Sequence, residues 1–232
     1  MATRVTPWRL KDVFWVTAII IGIPFLALPL LSLIVPANEE AKRKLFLALS
    51  NLFTLFVPLL WTKKYHGASF EDLGIKKGRW PVSLTVLLGA GAGVGYYLLE
   101  SVIVGRKVVF DFSLLGTVAR TALWAFSFHG FIGFAFAPIS EEVYFRGFLY
   151  GYFKGRLGIR TGLLIQALLF SLFHVGFFSS STTSLALQKI AVGFGRGLLC
   201  GILYETSGNL LGPIVYHSTV NFMASVLQMH AN

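Results

Sequence analysis

Two adjacent glutamates, Glu141 and Glu142, lie in the apolar run AFAPISEEVYFRGFLYGYF, and Arg146 follows the second by four residues. A charged side chain at the centre of a bilayer helix costs about 2.5–3.5 kcal/mol on insertion scales, so ionisable groups there usually have a use. Glu142 and Arg146 are one helical turn apart and can pair. Successive helical residues diverge by about 100°, so the two glutamates are expected on different faces. Glu141 then has no basic partner nearby in sequence and is the first candidate for a general base. His174 closes a second apolar run, with Phe170 one turn earlier on the same face, where its ring would wall a dry pocket. His217 and Asn221 share a face of a third run. A carboxylate and an imidazole can activate water, and an imidazole and an amide can donate to a developing oxyanion. Taken singly, each motif has a structural explanation: a Glu–Arg brace, a hydrogen-bonded core histidine, or an interhelical clasp worth only about 0.6 kcal/mol. Read together, they make the parts of a hydrolytic site. Ser171 and Ser218 lie off the histidine faces, so neither is placed as a nucleophile.

These groups must be positioned by membrane helices. The 232 residues are 55% hydrophobic and 13% charged, with mean hydropathy +0.71; soluble domains carry about 25% charged residues. The expected fold is an all-α, polytopic transmembrane bundle forming one domain over residues 1–232. About 20 apolar residues cross a bilayer. That length predicts about seven spans, within six to eight: Val13–Val35, Leu45–Trp61, Val82–Val104, Ala122–Ala137, Gly162–Phe178, Leu187–Tyr204 and Leu211–Gln228. The stretch from Phe112 to Phe153 is too long for one span and can hold two helices, or one interfacial helix and one long span, which makes eight spans possible. Within it, Pro138 and Ser140 predict a new or kinked helix, with Ser140 as N-cap.

The net charge of +10 is read as topological. Arg4, Arg9 and Lys11 precede the first span. Lys63, Lys64, Lys76, Lys77 and Arg79 follow the second, and Lys154, Arg156 and Arg160 follow the glutamates. By the positive-inside rule the N-terminus is expected in the cytoplasm. No basic soluble module exists to bind nucleic acid. Two glycine clusters, Gly89, Gly91, Gly93, Gly95 and Gly193, Gly195, Gly197, Gly201, predict close helix packing. Cys200 reads as a core residue. Glu100 and Asp111 read as solvated or snorkelling charge beside Arg106 and Lys107, and Arg196 stands out in a glycine-rich span. His66, His129 and His230 suggest no chemistry.

The three motifs, Glu141-Glu142-Val-Tyr-Phe-Arg146, Phe170-Ser-Leu-Phe-His174 and His217-Ser-Thr-Val-Asn221, resemble in order and spacing those of the CAAX prenyl endopeptidase and bacteriocin-processing (CPBP) family of intramembrane proteases. The resemblance covers about residues 138–222. It implies that Glu141 and His174 activate a water and that His217 and Asn221 steady the oxyanion. Glu142 and Arg146 then support the site, with Phe170 beside it. The implied partner is a membrane-associated protein or peptide, prenylated if the family name applies. No cofactor is expected. The alternative is a zinc-dependent version in which Glu141, His174 and His217 would be the ligands. A non-enzymatic immunity or scaffold protein is a second alternative. A proton-coupled transporter is a third, disfavoured because no inverted repeat is visible.

Overall fold

The computed structural model describes residues 6–34, 38–105, 112–175 and 183–230, and these are helical with no strand. Helix α1 (Leu10–Ile34) pairs with α2 (Glu39–His66), and a short 3₁₀ turn (Phe70–Leu73) leads to α3 (Val82–Ile103). Helix α4 (Phe112–Ala125) precedes a continuous helical stretch that opens at Phe128. Gly158, at φ 82° and ψ 171°, breaks the segment Gly151–Val175. The stretch is therefore two helices, α5 (residues 128–157) and α6 (residues 159–175). Helices α7 (Thr183–Ser207) and α8 (Leu211–His230) complete the bundle.

Five helical stretches are long and apolar enough to cross a membrane: Leu10–Ile34, Glu39–His66, Val82–Ile103, Ile132–His174 and Ala186–Ser207. The fourth contains the Gly158 break, so it supplies two arms. The expected span Ala122–Ala137 is corrected. Helix α4 stops at Ala125, and the next helix opens at Phe128 and carries the glutamates to its middle. The predicted helix start at Ser140 is also corrected, because Pro138 and Ser140 lie inside α5. A turn of wider π-type helix, Ile132–Phe136, immediately precedes this segment. A proline ring clashes with the carbonyl four residues back in a regular α-helix, and the widened turn relieves that crowding.

Surface and interior are reversed relative to a water-soluble fold. Leu26 is 77% exposed and Leu87 69%, whereas Glu142 and Arg146 are fully buried. The large aliphatic side chains meet lipid and the charges meet one another.

The glycine clusters work as contact stripes, the first through alternate members and the second through all four. Cβ atoms at Gly89 and Gly93 would collide with α8, at the Gly212 carbonyl and at Thr219. Those at Gly193 and Gly197 would collide with α6, at Ser171 and Ala167. Gly91 and Gly95 meet nothing. Residues four apart share a helix face, and small residues there let backbones approach closely.

Glu100 is a further correction. It is buried and paired with Arg196 across the α3–α7 contact, not solvated. The same contact answers the anomaly of Arg196. Cys200 is buried, as expected. Arg4, Val35, Arg106, Lys107, Asp111 and residues 176–178 lie outside the described residues, as do the side chains of His129 and His230.

Candidate active site

The hairpin at Gly158 sets the depth of the first two motifs. Glu141 lies seventeen residues before it and His174 sixteen after it. At about 1.5 Å rise per residue, both sit roughly 25 Å from the turn, on adjacent antiparallel arms. The Nε2 atom of His174 lies 3.3 Å from Oε2 of Glu141. Helix α8 returns from its own turn at Gly208 (φ 77°) and brings in His217, whose Nε2 is 3.8 Å from the same Glu141 oxygen.

The two glutamates belong to one cluster although they lie on different faces of the helix. His217 bridges them, with Nδ1 2.9 Å from Oε1 of Glu142 and Nε2 facing Glu141. The carboxylates do diverge, but the two ring nitrogens point in different directions and each meets one of them. Glu142 also accepts a 2.9 Å hydrogen bond from Nη1 of Arg146, and all atoms of both side chains are out of reach of solvent.

The tautomers follow from the acceptors. Nδ1 of His174 is 2.8 Å from the Phe170 carbonyl, which can only accept, so Nδ1 carries the hydrogen. Nδ1 of His217 faces the ionised Glu142 and carries a hydrogen for the same reason. Both rings therefore present Nε2 toward Glu141. Two carboxylates against one guanidinium leave a net negative charge in a lipid-buried site. One proton on the Glu141–His174–His217 set restores neutrality, and burial of unpaired charge makes that strongly favourable.

The surroundings hold this geometry. The Phe170 ring carries the Arg146 guanidinium over its face at 4.6 Å, with His174 at 4.3 Å and His217 edge-on at 5.9 Å. Nη2 of Arg146 donates to the Gly197 carbonyl at 3.1 Å, and Nε2 of Gln166 donates to the same oxygen at 2.9 Å. Ser140, next to Glu141, donates to Oδ1 of Asn51 on α2 at 2.7 Å. Asn221 donates from Nδ2 to the Gly133 carbonyl at 3.0 Å, which ties α8 to the π-type turn of α5. A second π-type stretch, Val143–Tyr150, follows the glutamates. Such turns are rare and recur at functional sites.

Access is graded. The side chains of His174 and Glu141 are 35% and 15% exposed, that of His217 9%, and those of Glu142 and Arg146 not at all. A reactant reaches the cluster from the His174 side.

Gln166 and Asn51 were not picked out in sequence, and Gly197 and Ser140 were read only as a packing glycine and a helix cap. Gln166 left a usable signal, as a lone amide in an apolar run, at four-residue spacing from Phe170 and His174. Gly197 acts through its carbonyl and Asn51 comes from a distant helix, so neither role was readable.

Residues 122–223 match the Rce1-like family, described as type II CAAX prenyl endopeptidase Rce1-like. This segment encloses all three motifs and every site residue except Asn51. The comparisons with curated proteins and with solved structures give no match.

Proposed function

We propose that this chain, which carries an Rce1-like type II CAAX prenyl endopeptidase segment over residues 122–223, is an intramembrane glutamate-type endopeptidase. The observation that supports this most directly is a single carboxylate, Glu141, flanked by Nε2 of His174 at 3.3 Å and of His217 at 3.8 Å inside a helical bundle.

In this reading Glu141 and His174, the more accessible pair, hold a water and take its proton as it attacks the scissile carbonyl. His217, protonated at both nitrogens and braced by Glu142, donates from Nε2 to the developing oxyanion. Asn221, held at Gly133, lies one turn away on the same helix face and supplies the second donor when substrate displaces its present acceptor. The proton taken from water then passes from Glu141 to the leaving amine as the C–N bond breaks and the carbonyl re-forms. A positioned acid or base typically contributes 10²–10⁴-fold, and a charge-stabilising donor a comparable factor. Glu142, Arg146 and Phe170 position these groups and do not touch the reacting atoms. The client is a membrane-associated protein or peptide, cleaved with the N-terminus of the enzyme in the cytoplasm.

The mechanism proposed is metal-free. Glu141, His174 and His217 are the donor types of a catalytic zinc site. Chelation of purified protein, with metal analysis before and after, tests this: activity that vanishes with stoichiometric zinc loss ends the metal-free mechanism. For the activity itself, membrane proteomes of cells carrying the intact protein or its Glu141→Gln form are compared. New C-termini on membrane proteins are expected only with the intact protein, and identical termini in both would overturn the reading.

A further inference from the structure

A second polar site lies where α1 begins and α2 ends. A cavity of about 460 Å³ opens there, floored by Asp12, His66 and Trp61 and rimmed by Arg9, Lys11, Trp15 and Tyr65. We propose that this cavity binds a phosphate group, and that its natural source is the phosphodiester headgroup of an anionic membrane lipid.

The floor is built to be polar without presenting a bare acid. Oδ1 of the buried Asp12 accepts from the Trp61 indole N–H at 3.0 Å. Its Oδ2 accepts from the Arg9 backbone N–H at 2.6 Å and faces Nε2 of His66 at 3.0 Å. Two hydrogen-bond donors and the facing imidazole, drawn from both helix ends, thus surround the carboxylate and lock the two ends together. A ligand entering the cavity meets the rim first. Arg9 and Lys11 are exposed there, and the last turn of α2 adds Lys63 and Lys64 to the same end of the molecule. A guanidinium and an ammonium together suit a phosphate, which the guanidinium can engage through two parallel hydrogen bonds.

The level in the membrane selects the lipid source. The cavity sits at helix ends that cap two long apolar segments, which is the level of headgroups. Trp15 and Tyr65 are 53% and 57% exposed at this level, where amphipathic aromatic rings concentrate. Basic residues beside a membrane surface contribute about a factor of five each to binding anionic lipid. The volume exceeds that of a bare phosphate, leaving room for a headgroup on the diester.

The test requires no proteolytic activity. The full chain is equilibrated with mixed micelles of phosphatidylcholine and phosphatidylglycerol, and retained lipid is counted by native mass spectrometry, with and without millimolar inorganic phosphate. The unaltered chain is expected to retain phosphatidylglycerol selectively. Combined Arg9→Ala and Lys11→Ala substitution should reduce that selectivity by about 25-fold, whereas the exchange Arg9→Lys with Lys11→Arg should keep most of it. Inorganic phosphate that displaces the lipid at low millimolar concentration would make the anion soluble in origin, overturning the lipid assignment. Equal retention by the alanine variant and the unaltered chain, or no selectivity in the unaltered chain, would overturn the site.

Discussion

Arg196 and Gly197 are consecutive on α7, yet they anchor two buried charge clusters of different kinds. Arg196 pairs with Glu100 of α3. Gly197 receives Arg146, which is paired with Glu142, but here a second carboxylate and two imidazoles join the cluster. The first arrangement ties two helices together. The second carries an acid in excess, so a proton must be held among Glu141, His174 and His217. A buried group that can gain or lose a proton locally is the working part of an acid–base catalyst. The difference teaches that intramembrane charge alone does not mark a site; an unbalanced carboxylate beside imidazoles does.

The comparison breaks most visibly at Glu141. Glu141→Gln removes the excess acid and leaves every brace in place. Cleavage of a membrane-embedded reporter peptide is expected to fall by about 10²–10⁴-fold, with the thermal midpoint in detergent nearly unchanged. Retained activity would place the chemistry elsewhere.

Next come the two arginines. Breaking a buried ion pair by removing one partner costs about 3–5 kcal/mol. Arg146→Met should therefore lower unfolding free energy by about that much, and Arg196→Met, whose side chain is 25% exposed, by less, read by denaturant titration in detergent. Their activities per folded molecule should part: Arg146→Met loses most of it because Glu142 and His217 lose their anchor, and Arg196→Met keeps most of it. Equal activity losses would make Glu100–Arg196 part of the catalytic apparatus.

A smaller effect is expected at the shared backbone. Gly197→Ala would place a Cβ 2.9 Å from the Ala167 Cα, an overpacking that costs about 1–3 kcal/mol and shifts the carbonyl on which Arg146 rests. Both stability and activity should drop. The smallest change is Gln166→Leu, which removes one of the two donors to that carbonyl. A loss of about 1 kcal/mol is expected, visible as a modest fall in unfolding midpoint with little change in rate.

The sequence made parts of this legible and hid others. The Glu142–Arg146 pairing followed from a four-residue spacing, because helix geometry is local. Phe170 beside His174 followed for the same reason. The opposed faces assigned to Glu141 and Glu142 also came from local geometry, but His217, seventy-five residues on from Glu142, brings both carboxylates into one cluster. The same limit misplaced Glu100, whose partner stands ninety-six residues away on α7. The helix boundary near Ala125 was missed because hydropathy is continuous across it.

Residue types and spacing by themselves determined that the chain is a helical membrane bundle with a Glu–Glu–Arg, Phe–His, His–Asn set, since apolar length and helical period are read within a few turns. Tertiary structure alone decided which groups meet: the Gly158 and Gly208 turns set the depths at which three helices present their polar side chains. It also decided which oxygen each imidazole faces, and which buried arginine serves the site and which only braces the fold. Those outcomes depend on how helices dock, and interhelical docking is governed by contacts between residues far apart in the chain.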